Sequence, residues 1–534
     1  MTNKFKANTL DVVPPRLHLF STIGESVRIR FLIVLQLLLF AWQFSPQLCT
    51  NGDNAKYLTL GKALIEGRGY RNIGEPEAPV EPQYPILFPA LLGFAQLFSD
   101  NYIFPKIIIA IIGSLAVVLC YLLYRTQPNH LLWPLLTLVT TSGLIAEYSL
   151  ILMSEIPYLF FSLLALYLRE KSLDKPSSGL IFWLTVTVSV MPVNCRSIGL
   201  AFSAAWIIDN IWSKHYRLAL MHAVGLICTI AIFRSFVPSD PYFVQLIQRN
   251  SYDPDAGFVT PAEMGTRILQ NLSRYGGILV RGALIPFAHN LPPFVGRILS
   301  TLSLGCIIIG WLRAFFIPGK RFVGIYLLLY AGILCMWQPQ WAGERFLVSI
   351  IPFLYLMLLY GLDALVSFFD PSVPRPPGDF FSRLSSGTIA PSRYHTPLTV
   401  WAAAAVIMAF NLDYGLVNSG KRKEPTPDWR NFYSCADWVR IHTPPNAVVM
   451  SRKPELFYLR SKRKGLVYPF THDVEKVIAT IEEKGATHVV HDNFAWSATT
   501  ARYLYPAIAA HPERFKIVYA LKDPDTFVLE VLPK

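Results

Sequence analysis

Two acidic residues stand where an apolar sequence has least use for them. Asp53 follows the first hydrophobic run, in TNGDNAKYLTLGKALIEGRGY, and Glu155 opens another, in LMSEIPYLF. A carboxylate beside a bilayer is costly unless it is hydrated or used, and its uses are proton transfer and cation binding. Arg196 in VNCRSIGL and Arg345 in WAGERFLVSIIPF hold comparable positions and offer forked donors to an anion. Each of the four also has an ordinary structural reading. Asp53 fits the N-cap of a helix beginning at Asn54, and Glu155 fits the first turn of a helix started by Ser154 and Pro157. The arginines fit interfacial snorkelling or control of topology.

The elements that must position these residues are helices. The chain has 534 residues, 53% of them hydrophobic and 16% charged, with mean hydropathy +0.38, too apolar for a soluble enzyme of this size. Runs with little or no charge fall at 31–46, 107–124, 131–146, 156–168, 179–193, 198–212, 219–233, 298–312, 322–338, 346–367 and 397–414. They predict about eleven transmembrane helices, or twelve to thirteen with short re-entrant ones, and several must borrow flanking residues to reach across a bilayer. A net charge of +13 would suggest nucleic acid in a soluble protein. Here Lys and Arg instead concentrate in segments that alternate with external ones, which sets an orientation and calls for no nucleic-acid partner.

That orientation makes 1–30 a cytosolic N-terminal segment and the first apolar run a retained signal anchor. Residues 31–414 form the transmembrane domain with long external loops at 47–106 and 234–297, and 415–534 form an external soluble α/β domain. The expected location is a bacterial cytoplasmic membrane with that domain on the periplasmic side. Within the first loop, Ala55, Leu58, Ala63 and Leu64 make the stripe of an amphipathic helix lying on the membrane, and PILFPALLGFAQLF reads as a re-entrant or interfacial helix. The second loop has a Tyr252–Gly257 turn between two helical patterns, and 368–396 reads as a cytosolic linker. After 418, NAVVMS, GLVYPF, ATHVVHDNF, KIVYAL and TFVLEVL read as strands, with helices at DVEKVIATIEEKG and TARYLYPAIAAHPERF.

Other clusters point less clearly to chemistry. His488 and His491 fall on opposite faces of a strand, which opposes a shared metal. The seven cysteines form no C-x-x-C, and nothing pairs Cys49 with Cys435. The basic groups Lys421–Lys423 and Arg460–Lys464 fit a solvated face, or contact with anionic headgroups or polysaccharide. No glycine-rich phosphate loop or nucleotide fingerprint is present.

An ordered set of short motifs resembles the GT-C superfamily of polyprenyl-phosphate-sugar glycosyltransferases, in the branch of the protein O-mannosyltransferases and the lipid A aminoarabinose transferase. The resemblance covers about 30 to 365. It rests on an Asp soon after the first helix, A-L-x-x-G-x-G-Y at Ala63 to Tyr70, Y-P-x-L-F-P at Tyr84 to Pro89, S-E-x-P at Ser154 to Pro157, and R-F-L at Arg345 with the later Pro352. It implies an inverting transfer of a sugar from a polyprenyl-phosphate donor to an acceptor hydroxyl on a lipid, glycan or protein. Asp53 takes the catalytic base by this resemblance, and Glu155 a second acidic role, orienting the acceptor or helping to hold a divalent cation. Arg196 and Arg345 would bind the lipid phosphate, with Glu81, Tyr84 and Tyr57 further candidates for the substrate site. Asn54 follows Asp53 where the O-mannosyltransferases carry an Asp-Glu pair, which argues against mannose and protein acceptors. The alternatives are a transporter or flippase of lipid-linked glycans and a non-catalytic scaffold. A transporter places its site at mid-membrane between duplicated halves, whereas the carboxylates here sit in loops and no duplication is evident.

Overall fold

The computed structural model describes residues 15–175, 179–236, 241–286, 290–316, 319–369, 395–421 and 424–533. Almost all of the linker expected at 368–396, most of the Lys421–Lys423 group and the first part of the N-terminal segment lie outside them.

Every one of the eleven apolar runs falls on helix. Among the described residues, five helices are long and apolar enough to cross a membrane, or six if Asn129–Thr141 and Gly143–Ser149, bent by 49°, count as one broken span. Leu87–Gln96, Gly179–Cys195 and Arg321–Met336 are apolar but shorter. At 1.5 Å of rise per residue such helices fall short of the roughly 30 Å hydrocarbon core. Glu155–Asp174 has the length, but it carries Arg169, Glu170, Lys171 and Asp174 in its final turns.

Two groups of buried charges inside the helix bundle are paired. Arg169 donates to Asp209 at 2.5 Å and to Asn210 at 3.1 Å, and Asp363 accepts from Arg313 at 2.6 Å with His130 at 3.1 Å. Buried charges of this kind persist only when paired. Two glycines let Pro293–Phe316 and Ile351–Phe369 cross closely, since a methyl on Gly310 would meet the Met357 carbonyl and one on Gly361 the Cys306 carbonyl.

The loop 47–106 is built differently from expectation. Its helix, Gly52–Ile65, does not lie on a surface: Ala55, Leu58, Leu60 and Ala63 are all at most 1% exposed. It is packed on Leu87–Gln96 through a glycine pair, because a Cβ on Gly61 would stand 2.6 Å from the Pro89 carbonyl and one on Gly93 2.6 Å from the Gly61 carbonyl. We expect Gly61→Ala to force these helices apart, lowering the thermal midpoint in detergent by an amount corresponding to about 1–3 kcal/mol and reducing activity more than stability. A midpoint and turnover equal to the parent would oppose this packing account.

From Pro427 onward the chain makes a mixed five-stranded sheet. With β1 Val448–Met450, β2 Lys464–Leu466, β3 His488–His491, β4 Phe515–Leu521 and β5 Thr526–Val531, the order is β2-β1-β3-β5-β4. β1 runs parallel to β2 and β3, while β5 runs antiparallel to β3 and β4. All the expected strands are present. The helices Pro427–His442 and Pro454–Ser461 were not expected. The first packs Trp429, Phe432, Cys435, Ala436 and Val439 into a buried cluster with Val449, Phe457 and Val528.

This α/β unit docks on both long loops. Gly465 N–H donates to the Gly74 carbonyl at 2.8 Å, and Lys464 Nζ to the Pro76 carbonyl at 3.0 Å. Thr471 Oγ1 donates to Asp255 at 3.2 Å, and the Tyr503 hydroxyl to the Tyr252 carbonyl at 2.7 Å. The basic group Arg460–Lys464 is therefore largely structural: Arg460 pairs with Asp437 at 2.6 Å, and Arg463 donates to the carbonyls of Arg440 and Thr443 at 2.9 and 2.6 Å.

Candidate active site

Asp53 is placed by the first turn of Gly52–Ile65, where the positive end of the helix favours a carboxylate. It is not the N-cap: Asn51 is, its side chain accepting from Asp53 N–H at 3.5 Å. The Asp53 carboxylate is thereby left to point elsewhere. Oδ1 accepts from the Tyr84 hydroxyl at 2.8 Å, and Oδ2 pairs with Arg345 Nη1 at 2.8 Å. Tyr84 is positioned by edge-on contact with Tyr57, ring centres 4.9 Å apart.

Arg345 lies in the 3-10 turn Glu344–Ile350 that leads into Ile351–Phe369. Besides Asp53 it reaches Glu155, Nε to Oε1 at 2.6 Å. Glu155 sits in the first turn of its helix, as the spacing of Ser154 and Pro157 suggests, yet it is fully buried. The same Oε1 also pairs with Arg196 Nη1, which donates a further bond to Ser154 Oγ at 3.2 Å. Ser154 caps nothing with its side chain, and its hydroxyl stands 3.3 Å from that of Tyr57. Five elements distant in sequence thus converge on one chain of contacts: Tyr84, Asp53, Arg345, Glu155 and Arg196.

Of the residues expected at a common site, Asp53, Glu155, Arg196, Arg345, Tyr84 and Tyr57 come together. Glu81 does not touch them. It is 2% exposed and pairs with Lys56 at 2.9 Å, while Lys56 Nζ lies 5.8 Å from the centre of the Tyr84 ring. Glu81 therefore supports the site from one layer behind. Ser154 was expected only as a helix start, and Lys56 and Lys453 were not expected at all. Lys453 belongs to the α/β unit, hundreds of residues away in sequence, and no local pattern announces it.

The electrostatics follow from partial burial. Asp53 is 26% exposed and Arg345 22%, so their attraction is only partly screened by water. Burial pushes the Asp53 carboxyl up, but the Arg345 guanidinium and the Tyr84 hydroxyl outweigh it and hold the group below its ordinary value. Asp53 is thus ionised at neutral pH, as an acceptor of protons must be. A carboxylate with a depressed value is charged above that value and loses its charge only as pH falls through it. A rate that needs ionised Asp53 should therefore stay level through neutral pH and fall below the usual carboxylate range. Tyr84→Phe removes one of the lowering influences, so the acid limb should move to higher pH and kcat/KM at pH 7 should drop roughly three- to tenfold. An acid limb that does not move would separate Asp53 from the titration.

The carboxylates do not present a cation cage. Arg345 occupies the space between Asp53 and Glu155 that a divalent ion held by both would need, and no group of three or more His, Cys, Asp or Glu side chains among the described residues is arranged for a metal. His488 and His491 flank β3 without a third ligand, and all seven cysteines are free.

No protein-family model matches the sequence, and no curated protein does. Solved structures do match in fold. ArnT from Cupriavidus metallidurans bound to undecaprenyl phosphate superposes with TM-score 0.56 at 11% identity, over 95% of this chain and 99% of that one. Its apo form gives 0.55 at 9% identity, over 96% and 100%. The archaeal oligosaccharyltransferase AglB from Archaeoglobus fulgidus, in complex with an inhibitory peptide and a dolichol-phosphate, gives 0.54 at 13% identity, over 94% and 74%. Helix bundle and α/β unit are both included in such coverage, and the chain shares the fold of these solved membrane proteins.

Proposed function

We propose that this chain is an integral membrane glycosyltransferase that moves a sugar from a polyprenyl-phosphate donor to an acceptor hydroxyl, with inversion at the anomeric carbon. The observation that carries the reading is the contact chain in which one ionised loop carboxylate, Asp53, is held by Tyr84 and Arg345 at the head of the bundle. The lipid-phosphate ligands of the two structural neighbours agree with it.

Asp53 accepts the proton of the acceptor hydroxyl while that oxygen attacks the anomeric carbon from the face opposite the phosphate. Arg345 and Tyr84 fix the direction of the Asp53 lone pairs, and Arg345 and Arg196 turn their remaining donors toward the lipid phosphate. Glu155 holds both arginines through Oε1. Its Oε2 is buried without a hydrogen-bond partner among the described residues, and we assign that atom to a hydroxyl of the sugar or the acceptor. The loops 47–106 and 234–297 and the α/β unit lie on the non-cytosolic side, which in a bacterial inner membrane is the periplasm.

The test is incubation of the detergent-purified protein with a panel of polyprenyl-phosphate sugars and candidate glycan and lipid acceptors. Release of polyprenyl phosphate matched by glycosylated acceptor is expected for at least one donor. Movement of intact donor across proteoliposomes with no bond cleaved would replace the reading by translocation.

A further inference from the structure

Lys453 stands at the start of the helix Pro454–Ser461 in the α/β unit, and its side chain reaches the head of the helix that carries Asp53. A Cβ built on Gly52, one residue before Asp53, would lie 3.3 Å from Lys453 Nζ and 3.5 Å from its Cδ. The ammonium lies 5.0 Å from the centre of the Trp496 ring. Its neighbour Arg452 is held among the rings of Tyr252, Phe470 and Trp496 at 5.5, 5.0 and 5.0 Å, which fixes the backbone from which Lys453 projects. Among the described residues no carboxylate pairs with Lys453 within 4.0 Å. The charged groups facing it are Arg452, Glu455, Asp53 and Arg345. Burial, with Arg452 beside it, pushes its ammonium below the ordinary lysine value, a direction that an anion arriving there would oppose.

The charge balance of the reaction asks for such a group. As the acceptor oxygen bonds to the anomeric carbon, the bond from that carbon to the phosphate oxygen breaks, its electron pair stays on the phosphate, and the acceptor proton passes to Asp53. A phosphodiester with one negative charge leaves as a monoester approaching two. Asp53, Glu155, Arg196 and Arg345 are mutually paired and sum to no formal charge at rest, and to one positive charge once Asp53 holds the acceptor proton, so against a leaving phosphate approaching two negative charges the set is one cation short.

We infer that Lys453 is a ligand of the donor phosphate, so that the α/β unit completes the active site. The inference rests on the proposed function.

It is tested by equilibrium binding of undecaprenyl phosphate in detergent micelles to the full chain, with undecaprenol as the neutral control and inorganic phosphate as a competitor. The parent should bind the lipid phosphate more tightly than the alcohol. Lys453→Ala should weaken lipid-phosphate binding about tenfold or more and leave undecaprenol binding unchanged, and Lys453→Arg should recover most of the loss. Competition by inorganic phosphate that disappears in Lys453→Ala assigns recognition to the phosphate group itself, and competition absent from the parent assigns it to the lipid-linked phosphate. Equal lipid-phosphate binding by Lys453→Ala and parent would overturn the inference and leave the role of Asp53 standing. Equal loss of both lipids would overturn it in favour of a structural role. A parent that does not distinguish undecaprenyl phosphate from undecaprenol would overturn the donor assignment and the inference together.

Discussion

Asp53→Asn should reduce transfer on the order of a thousandfold while leaving donor binding within a fewfold of the parent. The amide keeps the size of the side chain and can still accept from Tyr84, but it cannot take a proton, and it frees Arg345 from one of its two carboxylates. The expected signature is therefore a collapse of kcat with KM for the donor level or lower, since a guanidinium relieved of Asp53 has more charge to offer a phosphate. If kcat were kept and KM rose instead, Asp53 would be a binding residue and the base would have to lie elsewhere.

Glu155→Ala should have the largest effect on stability, about 3–5 kcal/mol, because it strips a fully buried carboxylate from two arginines at once. Arg345 would retain Asp53, but Arg196, only 10% exposed, would keep no carboxylate and would be left with Ser154. The loss follows from removing one partner of a buried pair, so it should be partly recovered in Glu155→Ala/Arg196→Ala, where the unpaired charge goes too. Thermal unfolding in detergent checks both variants. Additive destabilisation in the double variant would mean that the pair is not energetically coupled.

The sequence carries the site unevenly. Asp53, Glu155, Arg196 and Arg345 could be chosen because charge is conspicuous in an apolar chain, and each lies where a helix begins or ends. Their mutual contacts could not be read, since Glu155 and Arg345 touch across the bundle at 2.6 Å while almost two hundred residues apart in sequence. Asp53 looked like an N-cap because its position relative to the helix hides that Asn51 fills the role, a shift of two residues that decides whether the carboxylate serves its own backbone or the site. The Gly52–Ile65 helix looked amphipathic because it has an apolar stripe. Part of the polar remainder is covered as well: Asn54 reaches the Cys49 carbonyl at 2.7 Å, and Lys56 pairs with Glu81. Local spacing records one stripe and says nothing of what covers the opposite face.

The α/β unit was legible in its strands, whose β-branched runs stand out between turns. The helix Pro427–His442 has a readable stripe in Trp429, Phe432, Ala436 and Val439, at spacings of three and four, but its aromatic and charged residues conceal it beside the strands. Docking of the unit on the loops was not legible. It is made by single bonds from side chains or backbone to distant carbonyls and carboxylates, such as Lys464 to Pro76 and Thr471 to Asp255, which leave no periodic trace.

The most direct test of the central claim, a single displacement in which Asp53 acts as base, is the anomeric configuration of the product formed from a donor of known configuration, read by the one-bond carbon–proton coupling in NMR. One displacement at the anomeric carbon predicts complete inversion, with no sugar attached to the protein at any time. Retention of configuration, or a glycosylated Asp53 or Glu155 recovered by mass spectrometry from a quenched reaction, would contradict it.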